Sequence, residues 1–219
     1  MAGYQLLQEE AYAHIKEQIL SGVLQEDQIY SETKMAAMIG ISRTPVKDAL
    51  VRLNQERLID ILPSRGFRLH RMSEADIWAT YQLRTAVEGF CAQHLAYRKD
   101  TEEGRAALSD LAEAVERMQA LQDAALDDFW AEDLAFHKRM VEFSKNAEFL
   151  RQFETYHYRM SVIAKQSFRS PNRREATVEE HRAILQAVRS CRGRDDFTAY
   201  AAVRTHMEAS RDLVLAERR

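Results

Sequence analysis

Residues 40–50 read GISRTPVKDAL. Gly40 suits the C-terminal stop of one helix and Ser42 the N-cap of the next, so only the turn Gly-Ile-Ser separates them. Pro45 falls in the first turn of the second helix, where a missing N–H costs little. Val46, Leu50 and Leu53 then recur at helical spacing. Upstream, Ser31 can cap a short helix running to Ile39. Two short helices joined by a tight turn are a helix-turn-helix pattern. Downstream the period changes to two. In LIDIL, Ile59 and Ile61 face one way and Asp60 the other; in FRLHR, Phe67 and Leu69 oppose Arg68 and His70. PSRG between them is a turn sequence, so a β-hairpin follows the helices directly and the pattern is a winged helix.

The rest of the chain is helical. Residues 4–21 place Leu7, Ala11, Ile15 and Ile19 on one face with Tyr12 and Leu20 beside them, and Gly22 ends the run. Ser73 with Asp76 resembles a capping box and opens a new region. From there only helical patterns appear, at roughly 74–97, 102–122, 126–144, 147–166, 177–190 and 195–216. Thr177 with Glu180 resembles a second capping box, and SPNRREAT around Pro171 reads as the clearest break. The expected fold is mainly α: an N-terminal winged helix-turn-helix domain over 1–72 and a C-terminal all-helical bundle domain over 73–219.

Three prolines and seven glycines in 219 residues leave room for such helices, and 46% apolar with 30% charged residues suits a globular protein. No apolar run approaches the roughly 18 residues of a membrane span. MAGYQLLQEEAY lacks the basic-then-apolar layout of a secretory signal, so a cytoplasmic protein is expected. Cys91 and Cys191 form no CxxC, and Cys91 reads as a small core residue. The net charge of −3 conceals an asymmetry: residues 33–71 hold eight basic residues against three acids, leaving +5 there and −8 elsewhere. A basic block on an acidic chain points to a nucleic-acid-facing module, although a solvated basic face has the same composition.

A recognition helix enters the major groove by its N-terminal end, whose free N–H groups and partial positive charge suit phosphate. Arg43 and Thr44 stand at that end: Arg43 can fork onto guanine, and Thr44 can reach phosphate or a thymine methyl. Lys47 lies about one turn on. Arg65 and Gly66 fall at the wing tip, where glycine permits close backbone approach. Each is unremarkable alone; together they occupy the two DNA-facing ends of one expected fold.

The helical region raises a different question. In DDFWAEDLAFHKRMVEF the stripe Phe129, Phe136, Met140 and Phe143 contains Asp133 and His137, which are i, i+4 neighbours. His181 lies in the stripe of Val178, Ile184, Leu185 and Val188. His206 shares a face with Ala199, Val203, Ser210 and Leu213. Inward polar groups are costly without partners. One divalent cation would satisfy all four, and imidazoles with a carboxylate suit Zn²⁺ or Ni²⁺.

Residues 30–72, YSETKMAAMIGISRTPVKDALVRLNQERLIDILPSRGFRLHRM, closely resemble the DNA-binding domain of GntR-family bacterial transcription regulators, a similarity that begins at Leu6. The resemblance implies DNA contacts through Arg43, Thr44, Lys47, Arg65 and Gly66. Lys47 replaces the family's more usual arginine and loses its fork. Thr33 stands where many members carry arginine, and Ser31 can replace part of that contact by bonding phosphate. Residues 74–217 look like the FCD domain of the FadR-like subfamily, through YQLRTAVEG, DLAFH, EEHRAIL and AAVRTHMEASRD. That implies a metal held by Asp133, His137, His181 and His206, and a small carboxylate effector beside it. SCRGRDD is longer than the family's turn, which shifts the spacing from His181 to His206. Arg84 matches a position near the effector, where it can pair with a carboxylate; an ion pair with Glu88 is the alternative.

The leading expectation is therefore a homodimeric, ligand-responsive regulator on a palindromic double-stranded operator, a repressor of a catabolic or transport operon, with no membrane partner. Two alternatives stay open. One is a metal-dependent enzyme, although no further acid/base constellation, phosphate loop or nucleophile motif accompanies the four residues. The other is a DNA-binding protein whose helical domain only dimerises.

Overall fold

The computed structural model describes residues 2–25, 27–163, 165–169, 171–193 and 195–217. It divides into two compact units, Met1–Met72 and Ser73–Arg219.

The first unit contains α1 (Ala2–Leu20), α2 (Glu32–Ile39), α3 (Arg43–Gln55) and a hairpin of β1 (Ile59–Leu62) and β2 (Gly66–Leu69). Ala11, Ile15 and Ile19 of α1 are buried against α3, whose Val46, Ala49, Leu50 and Leu53 are sealed from solvent. Leu7 is an exception to the expected stripe and stays exposed. Ser31 caps α2 by accepting from the Lys34 N–H, and Gly40 ends it in the left-handed conformation, φ 81°. Ser42 occupies the N-cap of α3 but makes no side-chain capping bond. The first N–H groups of α3 thus keep their capacity to bind an external acceptor.

The hairpin is antiparallel, with Ile59 opposite Leu69 and Asp60 opposite Arg68. The Asp60 carboxylate accepts from Arg68 Nε at 3.2 Å and lies 2.6 Å from His70 Nδ1, which ties the strands on their polar face. The loop end of the wing is fastened elsewhere. Tyr30 and Phe67 exchange both backbone bonds, Tyr30 N–H to Phe67 C=O at 2.7 Å and Phe67 N–H to Tyr30 C=O at 2.9 Å. Gly66 sits at φ 115°, and a Cβ there would collide with the Tyr30 carbonyl oxygen. The glycine is required by this stitch within the protein, a reason the wing motif alone does not reveal.

The second unit contains α4 (Glu74–Arg98), α5 (Glu102–Ala120), α6 (Leu126–Phe143), α7 (Ala147–Ile163), a 3-10 segment Lys165–Arg169, α8 (Pro171–Ser190) and α9 (Thr198–Ala216). The long α4 packs along α9 and also touches α6, α7 and α8, while α5 packs on α6 and α8. Its start is the expected capping box: Ser73 Oγ accepts from Asp76 N–H at 3.1 Å and Asp76 Oδ2 accepts from Ser73 N–H at 3.0 Å. Cys91 is buried in α4, and burial pushes its thiol up to about 12, as befits a core residue.

The second expected box is not a helix start. α8 begins at Pro171, and Thr177 lies inside it, fully buried, donating from Oγ1 to the Arg173 carbonyl at 2.9 Å. The expected break at SPNRREAT is helical from Pro171 onward. Both arginines have internal partners instead: Arg174 donates to the carbonyls of Phe168, Gln122 and Ala124. Proline at the first helical position then serves as a start signal. The longer SCRGRDD connection is closed by Asp196, whose carboxylate accepts from the Arg192 and Thr198 N–H groups; Arg194 lies outside the described residues.

Gly66→Ala is expected to destabilise the winged unit by about 2–3 kcal/mol, combining an unfavourable φ with a clash against backbone. Thermal or urea unfolding followed by circular dichroism checks this; an unchanged midpoint would count against the stitch.

Candidate DNA-reading groove and metal centre

Six of the seven residues singled out for DNA line one concave groove of the first unit. Ser31 and Thr33 come from the start of α2, Arg43 and Lys47 from the start of α3, and Arg65 and Gly66 from the wing. The groove encloses about 510 Å³. Thr44 is exposed at the same end of α3. The helix-turn-helix brings two helix starts side by side, and the three-residue wing loop Pro63–Arg65 forms the far wall. Glu32 also lines this groove and was not foreseen. Its carboxylate lies 3.7 Å from the largely exposed Arg43 guanidinium. An acid in a basic groove repels phosphate, yet it can hold an arginine extended for a base edge. Its sequence signal was weak, since an acid in the first turn of a helix is ordinary.

In the second unit α6, α8 and α9 deliver His137, His181 and His206 to one place, all three buried, with ligand atoms within 4.8 Å of one another. The shift in spacing before His206 does not remove it from the cluster. Asp133 stands one helical turn before His137, its Oδ1 3.9 Å from His137 Nε2 and 3.6 Å from His181 Nε2. Helix geometry accounts for the pair on α6, because i and i+4 side chains lie on one face.

The chemistry of these donors fits a cation. His137 Nε2 and His181 Nε2 face each other at 3.2 Å. Nitrogens bound to one Zn²⁺ at about 2.0–2.1 Å in a tetrahedron stand about 3.3 Å apart. Asp133 Oδ1 is buried with no hydrogen-bond partner among the described residues, which is costly for a carboxylate unless a charge compensates it. Burial pushes His181 far below the ordinary imidazole value, reinforced by its neighbours His206 and His137. Burial also lowers His206, against the pull of the Glu180 carboxylate. A neutral imidazole offers a lone pair, as a metal ligand must.

Arg84 is buried beside this centre and forms the alternative ion pair, its Nε donating to Glu88 Oε1 at 2.9 Å. Burial opposes ionisation of Glu88, but Arg84 and His137 outweigh it and hold the carboxyl well below the usual range. Arg84 also lines a cavity with Asp133 and His137, walled by Trp130 and Leu134 of α6 and by Phe153, Tyr156, His157 and Met160 of α7. Its water-sized space is about 10 Å³, enough for a single water. Glu88 and Glu180 were missed as parts of the site. Glu88 had a signal as the i+4 partner of an inward arginine; Glu180 had none, because its role is set by tertiary packing.

The sign of the pH dependence follows from these environments. In metal-free protein His181 and His206 titrate below the ordinary 6.5, faced by His137, Asp133, Glu180, Arg84 and Arg173. The unfolded chain therefore takes up protons first, and stability falls as pH drops through about 6.5. Glu88, depressed from 4.5, adds a second loss as pH falls further. Melting temperatures of chelator-treated protein should be flat above about pH 7.5 and decline steadily to about pH 4; a rise on acidification would contradict the assignment of neutral, buried imidazoles.

Comparisons with known proteins bear on both units. Residues 7–69 match the bacterial regulatory proteins of the gntR family, and residues 79–209 match the FCD domain. An HTH-type transcriptional regulator of Agrobacterium vitis, in the TAR-I ttuE-ttuC' intergenic region, is 34% identical over 133 residues, covering 60% of this chain and 77% of that protein. The gluconate operon transcriptional repressor of Bacillus licheniformis is 30% identical over 128 residues, covering 58% and 51%. Among solved structures, E. coli McbR/YncC superposes with a TM-score of 0.74 over 97% of this chain and 99% of that one. At 18% identity that likeness shows the fold alone.

Proposed function

The chain belongs to the GntR family of bacterial regulatory proteins, with an FCD domain as its second unit, a transcription regulator and not an enzyme, and on that premise we propose that it represses a catabolic or transport operon until a small carboxylate binds beside a metal in the helical unit. The observation that carries this reading is the convergence of Asp133, His137, His181 and His206 on one point next to the buried Arg84.

Asp133, His137, His181 and His206 would hold the ion, Zn²⁺ or Ni²⁺ being suited to such donors. When bound, the cation would supply a positive centre that attracts an anionic oxygen. The chain's own charges favour that outcome. With neutral imidazoles, the carboxylates of Asp133, Glu88 and Glu180 exceed the guanidiniums of Arg84 and Arg173 by one. A divalent cation reverses the sign, and a carboxylate restores balance. Arg84 lines the same cavity and offers a second handle for the carboxylate.

The cavity has room for one water as it stands, so any effector must part the α6 and α7 side chains that wall it. Binding then favours the opened arrangement only by its greater affinity for it. In the first unit, Arg43, Thr44 and Lys47 at the start of α3 read the major groove, and Arg65 with Gly66 follows the backbone or the minor groove. Ser31 and Thr33 supply phosphate contacts from the start of α2. A homodimer would set two such units on a palindrome one helical turn apart. Repressors of operons are among the named relatives, including the gluconate operon repressor, which agrees with the proposed sign of regulation.

Gel shifts with the DNA upstream of its own gene test the proposal, with and without metal and a panel of sugar acids and other small carboxylates. A specific shift relieved by one carboxylate is expected; no specific shift at any salt concentration would end the operator model. Arg43→Ala should cost about 1–3 kcal/mol of operator binding and relax preference at one base position, whereas uniform weakening across sequences would reduce Arg43 to a phosphate contact. Asp133→Ala with His181→Ala should leave the purified protein without stoichiometric metal by elemental analysis, and equal content in both proteins would refute the ligand set.

A further inference from the structure

Each imidazole of the cluster is braced from behind, at Nδ1. Glu88 Oε2 stands 2.5 Å from Nδ1 of His137, a close charge contact without the alignment of a hydrogen bond. Glu180 Oε2 stands 2.6 Å from Nδ1 of His206. His181 Nδ1 faces the Met118 sulfur at 3.3 Å, and its ring stacks on Phe136 with centroids 4.1 Å apart and planes 7° from parallel. Behind each carboxylate is an arginine. Arg84 donates to Glu88 at 2.9 Å. Arg173 grips Glu180 with two bonds of 2.7 and 3.0 Å and donates to Ser210 Oγ at 2.7 Å. Two relays result: Arg84–Glu88–His137 from α4 to α6, and Arg173–Glu180–His206 from α8 to α9.

We propose that Glu88 and Glu180, each held by its arginine, are positioning residues of the metal centre, fixing His137 and His206 so that Nε2 is presented to the ion. This deepens the metal reading above and rests on it. A carboxylate at Nδ1 keeps the proton on that nitrogen, prevents the ring from turning over, and makes the opposite nitrogen a better donor. Neither glutamate is available as a ligand itself. Arg84 holds one oxygen of Glu88 while the other lies against the back of the His137 ring, and Glu180 divides its oxygens between Arg173 and His206.

The third ring explains why there are two relays and not three. His181 is wholly buried and clamped in a stack with Phe136, so packing fixes it without a carboxylate. His206 comes from the last helix, after the long connection, and has no such stack with a phenylalanine; the Arg173–Glu180 pair brings it into register. Glu180 directly precedes His181 on α8. One turn of helix thus supplies a ligand and the brace for a ligand on another helix. Gluing α8 to α9 requires only the Arg173–Ser210 bond, whereas a 2.6 Å contact to His206 Nδ1 is what orienting a ligand requires.

The test is Co²⁺ binding by full-length protein, read by competition with a chromophoric chelator and by the visible Co²⁺ absorption bands, alongside the melting temperature of the metal-free protein. Glu180→Gln should bind Co²⁺ about 10–100-fold more weakly with altered bands. Glu180→Asp should recover part of the affinity. Removing Glu88 alone would strand the buried Arg84 charge, so the partner variant is Arg84→Met with Glu88→Leu, expected to weaken Co²⁺ to a similar degree while still melting cooperatively. Arg182→Gln, which breaks exposed ion pairs on the same helix, should bind as wild type. Wild-type affinity and bands in Glu180→Gln overturn the inference, as does a variant that loses only melting temperature. If wild-type protein takes up no Co²⁺, the metal reading itself falls and this inference with it.

Discussion

Burying charge is costly, and the second unit buries Arg84, Glu88, Asp133 and Arg173 around three imidazoles, with Glu180 half-buried beside them. The desolvation penalty for each is several kcal/mol, and only close, well-oriented partners offset it. Arg84 and Glu88 are both sealed inside α4 and meet at 2.9 Å. Arg173 and Glu180 meet twice on α8. Everything else in the bundle is arranged so that these partners coincide. α4 must run against α6 for Glu88 to reach His137, and α8 against α9 for Glu180 to reach His206. The apolar residues supply the drive to collapse, while the charges restrict which collapsed arrangement is acceptable. A one-turn slip of α9 would strand His206 and Glu180 together.

The first unit follows a different logic. Its core is apolar, and its polar residues are spent on edges: Asp60 with Arg68 across the hairpin, Glu9 and Glu56 with Arg52 between α1 and α3. Its groove is left with unspent basic groups and an uncapped helix start. A surface that keeps donors unsatisfied gains affinity for a polyanion. The contrast between a unit that pairs its charges internally and one that keeps them for a partner matches the division of labour expected of a sensor joined to a reader.

Much of this was legible in sequence where one residue carries one strong local preference. Gly40 ended α2, Ser73 with Asp76 opened α4, and alternation at Ile59–Ile61 and Phe67–Leu69 marked the hairpin. The histidines were visible because each interrupts an apolar stripe. What could not be read depends on partners far along the chain. Thr177 and Glu180 had the letters of a capping box, but Arg173 and Arg174 had carbonyl and carboxylate partners that turned a charged loop into helix. Gly66 could be placed at the wing tip, while the carbonyl that demands it belongs to Tyr30. Glu180 looked like a helix-start residue and lies instead against an imidazole 26 positions away.

The cavity beside Arg84 has room for one water and is walled by side chains of α6 and α7. On the reading proposed above, a ligand's apparent affinity is its affinity for the opened site multiplied by the fraction of molecules that are open. That fraction is set by how well Phe153, Tyr156 and Met160 pack, residues that need not touch the ligand's functional groups. The concentration at which the switch responds and the identity of what it responds to are therefore separable properties. On that reading the first would reside in the fit of a few apolar side chains and could drift by small packing changes, while the second would reside in Arg84 and the residues proposed to hold the metal. A lineage could retune its threshold to a new metabolic setting many times over without altering its ligand chemistry.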